Sequence, residues 1–415
     1  MTTRRFFLKS GALAIAGIGA SLAIPSFLER TALASNSQNS KKIMIVIFQR
    51  GAADGLNTVV PFGDAAYYKS RPTLAIAKPN SSDEQSAIDL DGYFGLHPAL
   101  KPFKPLYDAK GLAIVHAAGS PDSTRSHFDA QDYMEIGTPG IKSTADGWLN
   151  RYLQTNSEPS SKDGLAALRG VAIGNKQPKT MAGTGASLTI ASLNSFDVRG
   201  GAKTSSAFET MYGKSSDDII APSGVEALEA MRTIRKIRST AYLPANSAIY
   251  PNGQFGNSLK QIAQLIKSNV GLEIAFADLG GWDTHTAQKP RLNQLLKEFS
   301  SGIAALYQDL GDKMQDVVIV TMSEFGRTVR ENGTAGTDHG HANCMFVMGG
   351  GVKGGKVYGK WPGLEREQLY EARDLALTTD FRTVCSEVVS KHCGAKDLAK
   401  IFPNFQNKSS LSILG

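Results

Sequence analysis

Short, uninterrupted apolar runs alternate along the chain with longer segments in which apolar residues recur at spacings of three and four. The runs span residues 43–48, 112–116, 272–277, 317–321 and 345–348. An apolar run of this length is typical of a strand that is buried on both faces, as in parallel sheets. The clearest helical pattern covers residues 292–310. This alternation predicts an α/β fold with a parallel-rich central sheet between helices.

Polar segments that carry Asp, His, Ser and Arg follow directly after the predicted strands. They lie at residues 49–55, 119–132, 278–285 and 323–327. In such sheets the ligand site lies at the carboxyl ends of the strands, so these segments are expected to meet there. The stretch around 150–250 has weaker periodicity, apart from one helical pattern at 224–237, and is interpreted as a cap or insertion.

The first residues predict export. Residues 3–9 read TRRFFLK, which is the address that the twin-arginine translocase recognises, and an apolar run of signal-peptide length follows at 11–24. Ala32-Leu33-Ala34 is a small-x-small cleavage site, so residues 1–34 form the predicted signal peptide. A linker at 35–42 and a single domain at 43–415 follow. The mature protein is expected in the periplasm or outside the cell, without a stable membrane anchor.

Composition narrows the possible partners. The formal net charge is +7, and without the first 34 residues, which carry four of the Lys and Arg and one of the Asp and Glu, it is about +4. No runs of Lys or Arg occur, so the sequence does not indicate nucleic-acid binding. A small anionic ester, or a sulfated or phosphorylated polymer, is compatible with this charge. The three cysteines make no disulfide framework and are expected to be buried thiols.

Two segments carry residues that suit a divalent metal. Asp283 and His285 follow a glycine pair at a predicted strand end, and His339 belongs to the run Thr-Asp-His-Gly-His at 337–341. Carboxylate and imidazole are ligands for zinc, manganese or iron. The alternative is that these residues make ordinary hydrogen bonds within loops. In the second run His339 is favoured as the ligand, because few of these neighbours can face one point.

Residues 123–129 precede a predicted helix that starts near Phe128. A helix N-terminus offers free N–H groups that suit an anion. Ser126 there is either a cap or a nucleophile, Arg125 is a candidate for binding phosphate or sulfate, and His127 is a candidate base. After the strand at 317–321, Glu324 and Arg327 either serve the site or pair with each other.

These motifs together resemble a known family. They are Arg50-Gly51-Ala52-Ala53-Asp54-Gly55, Arg125-Ser126-His127-Phe128-Asp129, Gly281-Trp282-Asp283-Thr284-His285, Ser323-Glu324-Phe325-Gly326-Arg327 and Thr337-Asp338-His339-Gly340, in this order. The chain resembles the bacterial family called domain of unknown function 1501, which is grouped with the alkaline phosphatase and sulfatase superfamily. The resemblance implies an alkaline phosphatase-like three-layer sandwich. It also implies two metal ions and a Ser, Thr or modified Cys nucleophile at a helix start.

The chain departs from the superfamily at two metal-binding positions. Ser323-Glu324 stands where the superfamily has Asp-His, and Gln49-Arg50 stands where the first strand usually ends in Asp, with Asp54 four residues on. One site built from Asp283, His285 and His339 is therefore expected rather than two. A second site would need Asp54 and Glu324 as ligands. Alternatively, Arg50 occupies its place and binds an anion.

Two functions remain open on this basis. The first is an exported hydrolase of phosphate or sulfate esters that depends on a divalent metal such as zinc or manganese. Ser126 would attack, and Arg125 or Arg50 would clamp the anionic group. The second is a non-catalytic binding or assembly protein on a degenerate phosphatase-like fold, since a fold by itself does not imply a function.

Overall fold

The computed structural model describes residues 41–156, 166–197, 210–211, 220–407 and 410–415. The predicted signal peptide and most of the predicted linker lie outside the described residues. The strands are β1 Ile43–Arg50, β2 Val59–Val60, β3 Ile88–Asp89, β4 Gly95–Leu96, β5 Leu112–Gly119, β6 Gly170–Ile173, β7 Leu188–Ile190, β8 Ile274–Gly280, β9 Val317–Met322, β10 Asn343–Gly349, β11 Lys356–Tyr358 and β12 Thr379–Asp380.

Helices connect these strands and cover both faces of the main sheet. The α-helices are α1 Gly55–Thr58, α2 Ala65–Ser70, α3 Lys104–Asp108, α4 His127–Ile136, α5 Trp148–Thr155, α6 Ile220–Arg238, α7 Gln254–Lys267, α8 Gln288–Leu310, α9 Phe381–Glu387 and α10 Leu398–Ile401. Among the described residues no helix is both long enough and apolar enough to cross a bilayer.

The central sheet has nine strands in the order β11-β5-β10-β9-β1-β8-β6-β7, and β12 pairs with β5 beside β11. β1 runs parallel to both of its neighbours, β8 and β9, and β10 runs antiparallel to both β9 and β5. Every other paired strand of this sheet is parallel to its neighbour. The predicted fold class, a parallel-rich sheet between helices, is confirmed. β6 and β7 extend the sheet edge from within the stretch that was interpreted as a cap.

Alternate residues of β1 enter two separate cores, which makes the molecule three-layered. Ile43, Ile45 and Ile47 pack with apolar residues of α6, α7 and α8 on one face. Met44, Val46 and Phe48 pack with residues of α5, α9 and α10 on the other. Because successive side chains of a strand point to opposite faces, a fully apolar strand needs a helical layer on each side.

The reversed strand β10 decides where the polar segments meet. The carboxyl ends of β1, β5, β8 and β9 lie along the same boundary of the sheet, the one formed by strand ends and not by an outermost strand; this boundary is the edge meant below. β10 is antiparallel to β5 and β9, so its amino end lies at that same edge. The run at 337–341 precedes β10 and therefore joins the segments that follow the other strands.

Candidate metal centre

Three imidazoles and one carboxylate converge at this edge. The Nε2 atom of His339 lies 3.0 Å from Nε2 of His127 and 3.0 Å from Nε2 of His285. Oδ1 of Asp283 lies 3.0 Å from His285 Nε2 and 3.2 Å from His339 Nε2. Its Oδ2 lies 3.4 Å from His127 Nε2. We call His127, Asp283, His285 and His339 the histidine cluster. Three of them, His127, Asp283 and His339, offer ligand atoms that all lie within 4.8 Å of one another, a donor set that suits a divalent cation.

Different elements bring the four residues together. His127 is the first residue of α4, Asp283 and His285 lie in the loop after β8, and His339 precedes β10. Two glycines allow the loops to pack this closely. A Cβ on Gly51, which has φ +115°, would lie 2.7 Å from the backbone nitrogen of Asp283, and one on Gly340 would lie 2.4 Å from the carbonyl carbon of Arg327. Any side chain at these glycines would push the loops apart.

The second nitrogen of each ring is hydrogen-bonded to an oxygen. His127 Nδ1 lies 2.8 Å from Glu324 Oε1, and His285 Nδ1 lies 2.9 Å from Asp338 Oδ1. His339 Nδ1 lies 2.8 Å from the carbonyl oxygen of Arg125. Carboxylate and carbonyl oxygens accept, so each Nδ1 carries the hydrogen and donates it. In the neutral rings, each Nε2 then directs a lone pair into the cluster, which is the tautomer that metal-binding histidines adopt.

Glu324 is fully buried beneath the cluster. Its carboxylate accepts hydrogen bonds from Gly51 N, Gln131 Nε2 and Ser323 Oγ, at 2.8, 2.9 and 3.0 Å, as well as from His127. Burial raises the pKa of this carboxyl, but the hydrogen bond from His127 and the other donors outweigh it, so the net pKa is lowered. The same hydrogen bond raises the pKa of His127 against the effect of burial. Glu324 therefore remains an anion that orients His127, rather than a direct ligand.

Arg50 lies at the same edge but is paired with other residues. Its Nε donates to Asp278 Oδ2 at 2.6 Å, and its Nη1 donates to Glu135 Oε1 at 2.8 Å and to Gln131 Oε1 at 2.9 Å. The guanidinium also lies 4.5 Å from the ring centroid of Phe48. Within the described chain, its hydrogen bonds join it to none of the cluster residues. Two carboxylates compensate its charge, so little is left to attract an anion.

Asp54 lies in a buried ion pair and not in the histidine cluster. Its Oδ2 lies 2.6 Å from Arg71 Nη1 and 2.5 Å from Gln288 Nε2. Its Oδ1 accepts from the backbone N–H of Asn57 at 3.4 Å, which caps α1. Both partners of the ion pair are almost fully buried. The two residues expected to build a second metal site, Asp54 and Glu324, are thus both engaged elsewhere.

Arg125 and Ser126 lie next to the cluster. Arg125 Nη2 lies 2.7 Å from Asp374 and 2.7 Å from Glu371, while its backbone oxygen holds His339. Ser126 caps α4, and its Oγ accepts a long hydrogen bond of 3.5 Å from the backbone N–H of Asp129.

Arg373, which sequence reasoning missed, contacts Asp374 and also donates to the backbone oxygen of His339. The residues around it form no apolar run, so no pattern in the sequence distinguished it. Arg125 and Arg373 thus both contact His339 and share one buried carboxylate, Asp374.

The family model described as "Protein of unknown function (DUF1501)" matches residues 111–400, more than half of the chain, and this segment includes the whole histidine cluster. No curated protein matches the sequence.

Three solved structures share the general fold at low similarity. Ps i-CgsB in complex with k-i-k-neocarrahexaose is 11% identical with a TM-score of 0.39, and the match covers 89% of this chain and 75% of that one. An alkaline phosphatase mutant of the bacterium TAB5 with bound Mg is 12% identical with a TM-score of 0.32, covering 75% and 93%. A putative sulfatase from Bacteroides thetaiotaomicron is 10% identical with a TM-score of 0.33, covering 89% and 76%. These likenesses are too distant to inform the chemistry of the site.

Proposed function

The chain belongs to the family of proteins of unknown function DUF1501, and from this premise we propose that it is an exported hydrolase of phosphate or sulfate esters that depends on one divalent metal ion. The observation that carries the proposal is the convergence of three imidazole Nε2 atoms, each on a ring whose Nδ1 is bonded to an oxygen. Histidines that bind transition metals in proteins have this arrangement: one ring nitrogen is hydrogen-bonded, and the other faces the metal.

The charges around the cluster favour the same conclusion. Asp283, Glu324 and Asp338 contribute three negative charges, and Arg327 contributes one positive charge in contact with Asp283. The excess of two negative charges matches one divalent cation. Imidazole nitrogens with a carboxylate are the ligands that zinc prefers, and manganese is the second candidate. When bound, such an ion acts as a Lewis acid and lowers the pKa of water.

The residues of the chain divide the remaining tasks. Arg125 and Arg373 are cations next to His339, each with a partly exposed side chain. They share Asp374, and Arg125 also contacts the exposed Glu371, so two carboxylates are divided between two cations, whereas Arg50 alone faces two. We therefore assign Arg125 and Arg373 the binding of the substrate's anionic group. Asp374, which both contact, keeps the two guanidinium groups close together despite their like charges.

Ser126 is the proposed attacking hydroxyl. It lies directly before His127 at the start of α4, and within the described residues its oxygen accepts only the long hydrogen bond from Asp129. Among the described residues its O–H hydrogen has no acceptor, so during attack the proton would pass to water. The positive end of the α4 dipole also favours negative charge at this position.

Metal content tests the proposal first. The protein, purified without chelators, is expected to carry about one zinc or manganese ion per chain by mass spectrometry. The metal-loaded protein is then expected to hydrolyse p-nitrophenyl phosphate or p-nitrophenyl sulfate. A bound metal without turnover of any phosphate or sulfate ester would favour the binding-protein alternative. The absence of metal under loading conditions would reject the proposal.

A further inference from the structure

The guanidinium of Arg327 is completely buried against the histidine cluster. Its Nη1 donates to Asp283 Oδ1 at 2.8 Å. Asp283 is the only carboxylate in salt-bridge contact with it among the described residues. A guanidinium stays protonated at any physiological pH, so this contact places a permanent cation beside the carboxylate that faces all three imidazoles.

Thr337 fixes the remainder of the guanidinium. Arg327 Nε donates to Thr337 Oγ1 at 3.2 Å, and Nη2 donates to the backbone oxygen of the same residue. Thr337 Oγ1 in turn donates to Gln288 Oε1 at 2.6 Å, and Gln288 is itself bonded to Asp54. The orientation of the planar group is therefore determined on both of its edges. Since Arg327 cannot rotate, it holds Asp283 Oδ1 in one place.

Among the described residues, the other carboxylates near Asp283 are already engaged with protein partners. Each has a partner: Asp54 pairs with Arg71, Glu324 with His127, Asp338 with His285, and Asp374 with Arg125. Within the described part of the chain, Asp283 is the one carboxylate that contacts several imidazole Nε2 atoms, and Arg327 lies against one of its oxygens. A second divalent ion on Asp283 would add its charge to those of Arg327 and the first ion, beside a single carboxylate.

We propose that Arg327 is a built-in cation that positions Asp283 for metal binding and confines the site to a single divalent ion. This inference rests on the metal-binding part of the proposed function. Arg327 acts through Asp283, so it is a positioning residue. It is also a different residue from Arg50, which the sequence offered for the place of the second metal.

Titration of the full-length protein with Co²⁺, followed by its visible absorption spectrum, tests the inference. Wild type is expected to bind one Co²⁺ per chain. Arg327→Met removes the cation and its hydrogen bonds, and is expected to weaken Co²⁺ binding about 10- to 100-fold, the usual effect of losing a residue that orients a ligand. It should also alter the Co²⁺ spectrum, because Asp283 is released. Arg327→Lys retains a charge and is expected to lie between the two.

Arg169→Met is the matched control. Arg169 forms a largely buried pair with Glu273, at 2.8 Å, near the amino ends of β6 and β8, which is the opposite edge of the sheet. It should lower the thermal midpoint and leave the affinity for Co²⁺ and the spectrum unchanged. Circular dichroism of the metal-free variants shows whether each is folded. If Arg327→Met does not fold, the comparison of Arg327→Lys with wild type tests the inference instead.

The outcomes separate this inference from the proposed function. Two Co²⁺ ions per wild-type chain, or a folded Arg327→Met variant with the wild-type affinity and spectrum, would overturn the role of Arg327 and leave a metal-dependent hydrolase possible. No Co²⁺ bound by wild type would overturn the metal centre itself, and with it this inference.

Discussion

His127 and His339, which are more than two hundred residues apart in the chain, approach each other with their Nε2 atoms at 3.0 Å. Neither nitrogen is free to be the donor in a neutral pair, because the Nδ1 atom of each ring already donates to an oxygen. Two lone pairs at this distance repel unless a proton or a metal ion lies between them. This relationship is the observation that most directly supports the proposed metal site.

Removal of one of these two rings should abolish metal binding. His339→Ala is expected to lose the ion that wild type carries, because its Nε2 contacts both other imidazoles and Asp283. Mass spectrometry of the purified proteins measures the metal content. His392→Gln is the control, since His392 is a buried histidine that contacts the backbone oxygen of Ile43 at the far edge of the sheet. Equal metal content in His339→Ala and wild type would contradict the site.

Glu324 should contribute to metal affinity without touching the ion. Glu324→Gln retains the size of the side chain but removes the negative charge beside His127 Nδ1–H. Without this charge the imidazole is less basic, and it is therefore a weaker metal ligand. Zinc affinity is expected to fall about 10- to 100-fold, measured by competition with a chelator. Glu387→Gln is a suitable comparison, because this buried carboxylate binds backbone N–H groups near residues 411–414. An unchanged affinity in Glu324→Gln would remove Glu324 from the centre.

Ser126→Ala separates the two roles of this hydroxyl. Loss of the cap of α4 should lower the free energy of unfolding by about 1 kcal/mol, measured by urea denaturation. Loss of the nucleophile should reduce ester hydrolysis to background while metal content stays at the wild-type level. Full activity in Ser126→Ala would mean that the hydroxyl is only a cap and that water attacks the ester.

Arg125 and Arg50 make opposite predictions for anion binding. Arg125→Gln is expected to weaken the binding of inorganic phosphate to the zinc-loaded protein about 10-fold, the effect of losing one charge-assisted hydrogen bond. Arg50→Met should leave phosphate affinity unchanged, because Asp278 and Glu135 compensate the charge of Arg50. Isothermal titration calorimetry measures both. Weaker phosphate binding in Arg50→Met and unchanged binding in Arg125→Gln would show that Arg50, and not Arg125, binds the anion.

Acid should destabilise the fold through His116. Burial lowers the pKa of this ring from 6.5 to about 4, and this effect outweighs the hydrogen bond from its Nε2 to the Val59 carbonyl, which raises the pKa. The unfolded chain therefore binds a proton between pH 6.5 and 4 that the folded chain does not, and stability falls as the pH is lowered through this window. The loss approaches roughly 3 kcal/mol at pH 4.

His116→Gln provides the comparison for this acid effect. Glutamine retains a donor for Val59 and does not titrate, so the variant should lose less stability than wild type between pH 7 and pH 4.5 in urea denaturation. Because all other titrating groups are common to both proteins, the difference in slope belongs to His116. Parallel slopes would show that His116 is not the group responsible.

The sequence by itself determined the fold class and the region of the site. Six consecutive apolar residues at 43–48 need cover on both faces, and this requirement is local, so it can be recognised without coordinates. The same holds for the helix at Gln288–Leu310, which apolar residues at spacings of three and four predicted from Leu292 onward. Asp283, His285 and His339 flank such strands in the sequence, and the structure brings them together.

Only the tertiary structure decided what each polar residue contacts. His127, a candidate base, lies among the imidazoles. Glu324, a ligand only if a second metal site existed, lies behind His127. The arginine that contacts Asp283 is Arg327, and not Arg50, which was the candidate for the place of the second metal. These assignments depend on the reversed direction of β10 and on distances of a few ångströms between residues far apart in the chain. Hydrophobic periodicity indicates which face of a helix or strand is buried. It contains no information about the direction of β10 or about which polar groups come into contact.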